Sequence, residues 1–216
     1  MEDIKKNFII CSLLIVLAIL YTILVKTVDL SAIGPNNSIV GFSTINNFFF
    51  SQTGENKIWY YITEILAIIP LFMAFSYALI GLKQLIKKKN LLKIDKELLG
   101  LAVFYIIVIS VYIFFEIFVV NYRPILIDNE LEASYPSSHT LIALCLCGSS
   151  ILINNKLYSK YPITKIINPI LAITMIILII GRLLSGVHWF TDILGGVIIA
   201  SALLYCYYTF LNYKKH

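Results

Sequence analysis

Apolar residues run almost unbroken through six stretches of this chain, and polar residues gather in the gaps between them. The stretches span approximately Phe8–Lys26, Ile58–Leu82, Leu98–Val120, Thr140–Ile153, Ile166–Leu184 and Ile193–Leu211. About 20 apolar residues suffice to cross a hydrocarbon core of roughly 30 Å as a helix. The pattern predicts an all-α, polytopic membrane protein with six transmembrane helices. Six such spans use more than half of the 216 residues, so residues 1–216 are read as one six-helix membrane domain. The fourth span is the shortest and carries Ser149 and Ser150 inside it. The first follows Lys5 and Lys6 as a secretory signal would, but no small-residue cleavage site comes after it, and it is read as an uncleaved anchor.

Composition agrees with the pattern. The chain is 59% hydrophobic and only 13% charged, beyond the apolar share of a soluble domain. Its formal net charge of +5 is no nucleic-acid footprint, because the lysines fall in short segments between spans. All of the 17 Lys and Arg except Lys26, Lys57, Arg123 and Arg182 fall on one side of the predicted membrane. By the positive-inside rule that side is cytoplasmic. Both termini are then expected inside, with Lys214 and Lys215 among the cytoplasmic charges. The connections after spans one, three and five face outward. Cys11, Cys145, Cys147 and Cys206 all lie in apolar runs and are expected simply to pack. The lysine-rich stretch 83–97 reads as a solvated cytoplasmic loop. Glu64, inside the second span, has no partner nameable from sequence, and a structural hydrogen bond is its default role.

Three polar windows share the outer face. The segment 27–57 is turn-rich at first and aromatic at its end. It reads either as a plain connection or as carrying a short interfacial helix with Phe48, Phe49 and Phe50 in lipid. The window NYRPILIDNELEASYPSSHT (121–140) closes one span with Arg123–Pro124 and opens the next with Pro136-Ser137-Ser138-His139. A proline followed by hydroxyls at a helix start leaves N–H donors pointing outward, a ready anion site. Arg123 adds a fork of donors suited to phosphate oxygens, unless it answers Asp128, Glu130 or Glu132 of its own loop. In GRLLSGVHWFTD (181–192), His188 and Asp192 stand four apart, a spacing that puts both on one face of a helix. The carboxylate would then accept the imidazole N–H and leave the other ring nitrogen free as a nucleophile. Arg182, His188 and Asp192 are costly near a membrane unless they pair or work together.

These windows together resemble the signature of the type 2 phosphatidic acid phosphatases, the membrane branch that shares its site with vanadium haloperoxidases. That signature has a Lys seven residues before Arg-Pro, then Pro-Ser-Gly-His, then Ser-Arg, five residues, His, three residues and Asp. Here the segments read EIFVVNYRP (116–124), PSSH (136–139) and GRLLSGVHWFTD (181–192). Three departures stand out: Glu116 for the Lys, Ser138 for the Gly and Gly181 for the Ser. Glu116 would repel phosphate, and the expectation is that it turns away to pair with an arginine.

The resemblance implies a fold and a chemistry. His188 would be the nucleophile forming a phosphohistidine, Asp192 its orienting carboxylate, and His139 the general acid and then base. Arg123, Arg182, Ser137 and backbone N–H groups near Ser138 would hold the phosphoryl oxygens, with no metal and no cofactor. The implied substrate is a phosphorylated lipid entering from the bilayer, such as undecaprenyl pyrophosphate, phosphatidylglycerol phosphate, phosphatidic acid or lysophosphatidic acid. Two alternatives stay open: a lipid phosphotransferase using the same intermediate, and a non-catalytic lipid-binding or transport relative. Against transport, no internal repeat is visible.

Overall fold

The computed structural model describes residues 2–213, so Lys214 and Lys215 lie outside the described residues. Among the described residues the chain is helical. Its α-helices are α1 (Glu2–Thr27), α2 (Ser43–Thr53), α3 (Lys57–Leu66), α4 (Ile68–Lys88), α5 (Lys96–Ile117), α6 (Ser138–Leu157), α7 (Thr164–Leu184) and α8 (Phe190–Asn212). Six helical segments are long and apolar enough to cross a membrane, at Lys5–Thr27, Lys57–Lys88, Lys96–Ile117, Ser138–Leu157, Thr164–Leu184 and Phe190–Asn212. These are the six predicted spans, each longer than predicted at one end or both, except the third, which ends earlier at Ile117.

The second span is two helices, α3 and α4, separated at Ala67. Pro70 explains the break. It has no N–H to donate to the Leu66 carbonyl, and its ring crowds that carbonyl four residues back. The fourth span is a full 20 residues rather than a short one, and it lies at the centre. α6 packs against α4, α5, α7 and α8, and its buried face carries Leu141, Ala143, Cys145, Leu146, Ser150 and Ile153. The buried Ser149 and Ser150 are tolerated there because each hydroxyl returns a hydrogen bond to the Leu146 carbonyl, at 3.2 and 2.6 Å. At the other extreme α1, α4 and α5 present rows of exposed Ile, Leu, Val and Phe, as lipid-facing helices must.

The first and last spans pair along their length. Two cysteines expected only to pack thereby meet: Cys11 and Cys206 form a disulfide with Cα atoms 5.4 Å apart. Nothing in the local sequence marks them, since 195 residues separate them and only the α1–α8 contact brings them level. Cys145 and Cys147 are free and buried.

α2 settles the choice left open for residues 27–57 and corrects its orientation. Phe48 is exposed, but Phe49 stacks on Phe190 at 4.2 Å and Phe50 leans on Trp189 at 5.5 Å. The aromatic run therefore faces largely inward, onto the start of α8. Asn46 fixes the contact. Its side chain accepts from Thr191 N at 3.1 Å and donates to Thr191 Oγ1 and Gly41 O, each at 2.8 Å. The segment is a clasp over one end of the bundle, and the other two polar windows lie at that same end.

Candidate active site

Four helix ends and two connections converge beneath this clasp. Ser137 is the N-cap of α6, with its N–H on the Asp192 carbonyl at 2.9 Å and its Oγ facing Thr140 N at 3.5 Å. Ser138 and His139 follow as the first two residues of α6, both half-buried. The hydroxyl predicted to hold phosphate on Ser137 is thus taken up as a cap acceptor and fully buried. Ser138 is left as the more accessible of the two.

His188 does not lie on α8, which begins at Phe190. The expectation of a shared helix face with Asp192 is therefore corrected. Asp192 sits in the first turn of α8 and accepts Trp189 N at 3.1 Å, the return half of a capping box. Its other partners are Asn121 Nδ2 at 3.1 Å and Ser134 Oγ at 2.5 Å. The same Ser134 hydroxyl lies 3.0 Å from His188 Nδ1, and the Ser134 carbonyl is 3.1 Å from it. Asp192 reaches His188 through Ser134. Both acceptors at Nδ1 favour a proton there, which leaves the Nε2 lone pair free. That nitrogen faces Arg123 NH1 at 3.5 Å.

His188 is 3% exposed. Burial pushes its imidazole well below the usual histidine range, and the charges of Arg123 and Arg182 and the nearby His139 push the same way. The Ser134 backbone bond opposes them. Burial and the surrounding cations thus all favour the uncharged imidazole.

The two arginines answer carboxylates. Arg123 Nε pairs with Glu132 Oε2 at 3.0 Å, so the acids of its own loop do engage it, while NH1 stays turned toward His188. Arg182 is 1% exposed, with NH1 on Thr63 Oγ1 at 3.1 Å and on Glu64 Oε1 at 3.0 Å, and its guanidinium 5.4 Å from the Tyr60 ring. Glu64 Oε1 also meets His139 Nε2 at 3.1 Å. The residue for which the sequence offered no partner joins an arginine to a histidine.

Glu116 departs from expectation in one respect. It is exposed at the end of α5, and among the described residues it enters no ion pair, so the expected arginine pairing is not made. Both arginines are already matched by Glu132 and Glu64. Gly181 has a reason of its own. A Cβ there would lie 2.5 Å from Thr63 Cγ2 and 3.2 Å from the Trp59 ring. Glycine lets α3 close on α7, and that approach brings Thr63 and Glu64 onto Arg182. The structure brings together the five residues His139, His188, Asp192, Arg123 and Arg182 named from sequence; sequence reading named Glu64 without a partner and did not single out Ser134, Asn121 or Thr63.

A cleft of about 250 Å³ adjoins the cluster, lined by Lys57, Tyr60, Ile127, Asp128, Ser185 and Val187. Asn56 N donates to the Ser185 carbonyl at 3.0 Å, pinning the start of α3 to the loop before His188. A larger apolar cavity of 490 Å³ lies between α5 and α8 at the far end, beside Lys96 and Phe210, and contains none of these groups.

The family model described as the PAP2 superfamily matches residues 116–216. That segment contains Arg123, Ser134, His139, Arg182, His188 and Asp192, and the match bears out the resemblance carried by the motifs. A solved structure shares the fold of nearly the whole chain: that of a transmembrane PAP2-type phosphatidylglycerolphosphate phosphatase from Bacillus subtilis. Its TM-score is 0.62 at 16% identity, with 93% of this chain and 94% of that one covered. No curated protein matches the sequence. The chain is a multi-pass, all-helical membrane protein, and α3, outside the matched segment, reaches Arg182 within it.

Proposed function

We propose that the protein is an integral-membrane lipid phosphatase working through a phosphohistidine on His188. The observation that carries the reading is the state of that ring: Nδ1 held by Ser134, Nε2 open and 3.5 Å from Arg123 NH1. A phosphate placed on the arginines would present phosphorus to Nε2. Attack forms the N–P bond as the P–O bond to the lipid breaks. His139 gives its proton to the departing oxygen, then accepts one from the water that hydrolyses the intermediate to inorganic phosphate. Arg123 and Arg182 hold the equatorial oxygens through the charge redistribution, the part a metal ion takes elsewhere. Asp192 acts on His188 through Ser134, and Ser138 with the first N–H groups of α6 adds donors.

The substrate is a lipid bearing a terminal phosphate or diphosphate, reaching the site sideways from the bilayer. Phosphatidylglycerol phosphate comes first, given what the Bacillus subtilis protein is described as acting on, with undecaprenyl pyrophosphate and phosphatidic acid beside it. The charge asymmetry supports a site on the outer face and both termini in the cytoplasm. The three lipids would be offered to the purified protein in detergent with EDTA, beside His188→Ala. Phosphate release that survives EDTA and falls by several orders of magnitude in the variant is the expected result. Release abolished by EDTA, or retained by the variant, would sink the mechanism. The relative rates on the three lipids name the headgroup.

A further inference from the structure

Glu64 Oε1 accepts from NH1 of Arg182 at 3.0 Å and lies 3.1 Å from His139 Nε2, within ion-pair distance. These are donors that the proposed reaction requires for the leaving oxygen and for a phosphoryl oxygen. A hydrogen given to Glu64 is not available to substrate. His139 Nδ1 and Arg182 Nε are both buried without a partner. Arg123 keeps NH1 directed at His188, with Glu132 at ion-pair distance from its Nε.

Exposure says which group is free to move. The Arg182 side chain is 1% exposed and that of His139 22%, whereas Glu64 is 39% exposed. The carboxylate stands on the open side of donors that the fold holds in place. Its presence there is built in, since glycine at 181 is what lets α3 approach closely enough for Thr63 and Glu64 to meet Arg182.

We propose that Glu64 is an internal anion that holds the place of a substrate oxygen in the empty site, and that the phosphate binds by displacing it. This rests on the phosphatase reading above. The resting site is thereby self-neutralised, with Arg182 never left as an unmatched buried charge. Substrate binding exchanges one anion for another, and the returning carboxylate helps expel the product phosphate. The cost falls on affinity: every oxyanion must outcompete Glu64 for the same two donors.

The test is the inhibition constant for inorganic phosphate and for orthovanadate, with KM for a lipid phosphate, in wild type, Glu64→Gln and Glu64→Asp. Gln keeps the shape and an acceptor oxygen but loses the charge. Asp keeps the charge but is one methylene too short to reach both donors. Both variants are expected to bind the two anions about tenfold more tightly, the effect of removing roughly 1.4 kcal/mol of competition, with KM falling in step. A thermal melt of each variant establishes which is folded, and Glu64→Asp carries the test where Glu64→Gln does not fold. An active, phosphate-inhibited wild type whose folded variants bind anions equally or more weakly would overturn the displacement and make Glu64 a group that positions Arg182 and His139. A folded wild type that neither hydrolyses a lipid phosphate nor binds vanadate would overturn the phosphatase reading itself.

Discussion

Ser134 Oγ donates to Asp192 Oδ2 across 2.5 Å, and the same hydroxyl is 3.0 Å from His188 Nδ1. The carboxylate and the imidazole that the motif pairs are joined by a serine that the motif does not contain. Ser134→Ala removes the bridge, leaves Asp192 with Asn121 and Trp189 N, and frees the ring to tilt. A loss of about 100-fold in kcat is expected, the scale of a misplaced reacting group. The buried Asp192 also loses a partner, at about 1–3 kcal/mol of stability. Steady-state kinetics and a thermal melt on one preparation check both. Unchanged kcat would show that Nδ1 is held well enough by the Ser134 carbonyl.

The tautomer and charge of His188 can be observed directly. Its folded value lies below the ordinary value of about 6.5, so the unfolded chain takes up this proton first as pH falls. Stability contributed by the neutral ring is therefore complete above about pH 6.5 and is lost progressively as pH falls below it. Nitrogen-15 histidine spectra in detergent should show His188 neutral and protonated on Nδ1 at pH 6, where an ordinary histidine is mostly charged. A charged ring at that pH would contradict the buried environment.

Gly186 and Gly181 should tolerate no side chain, for different reasons. Gly186 has φ +68°, and a Cβ there would lie 1.8 Å from the Gly54 carbonyl oxygen. Gly186→Ala meets both a left-handed backbone and another main chain, and a loss of about 2–4 kcal/mol is expected. At Gly181 the neighbour is Thr63 Cγ2, which can retreat only by moving α3. Gly181→Ser should cost less stability, about 1–3 kcal/mol, but should loosen Glu64 from Arg182. Melting temperatures rank the two variants, and phosphate inhibition separates them. Equal melting temperatures to wild type would show that both helices shift freely.

Arg182→Lys tests whether the fork matters or only the charge. Lysine has one point of donation and no planar face for Tyr60, and it cannot span Thr63 and Glu64 as the guanidinium does. kcat/KM is expected to fall by about 10–100-fold, as when a bidentate contact is lost. Full activity in the lysine variant would reduce Arg182 to a background charge.

What the sequence revealed depended on the range of the signal. Hydropathy located all six spans because lipid imposes its requirement on every residue locally, and the spacing within 181–192 located His188 and Asp192. Glu64 was seen but not placed, because its partners Arg182 and His139 are 118 and 75 positions away along the chain and meet it only through α3–α7 packing. Ser134 stands two residues before Pro136, yet serine in a loop has no distinguishing pattern. Phe49 and Phe50 looked suited to lipid on apolarity alone, but Asn46 clasping Thr191 turns them inward. The Cys11–Cys206 link was invisible for the same reason as Glu64: distance along the chain hides it until the end helices pair.

The clasp and α3 both lie before residue 116, outside the segment similar to the PAP2 superfamily. The signature residues therefore sit in one half of the gene, while Asn46, Trp59, Thr63 and Glu64, which tune how they are held, sit in the other. Such a division lets the two parts vary at different rates. A chimera that kept residues 116–216 and borrowed the preceding helices from a relative would inherit the reaction from one parent and its appetite for phosphate from the other.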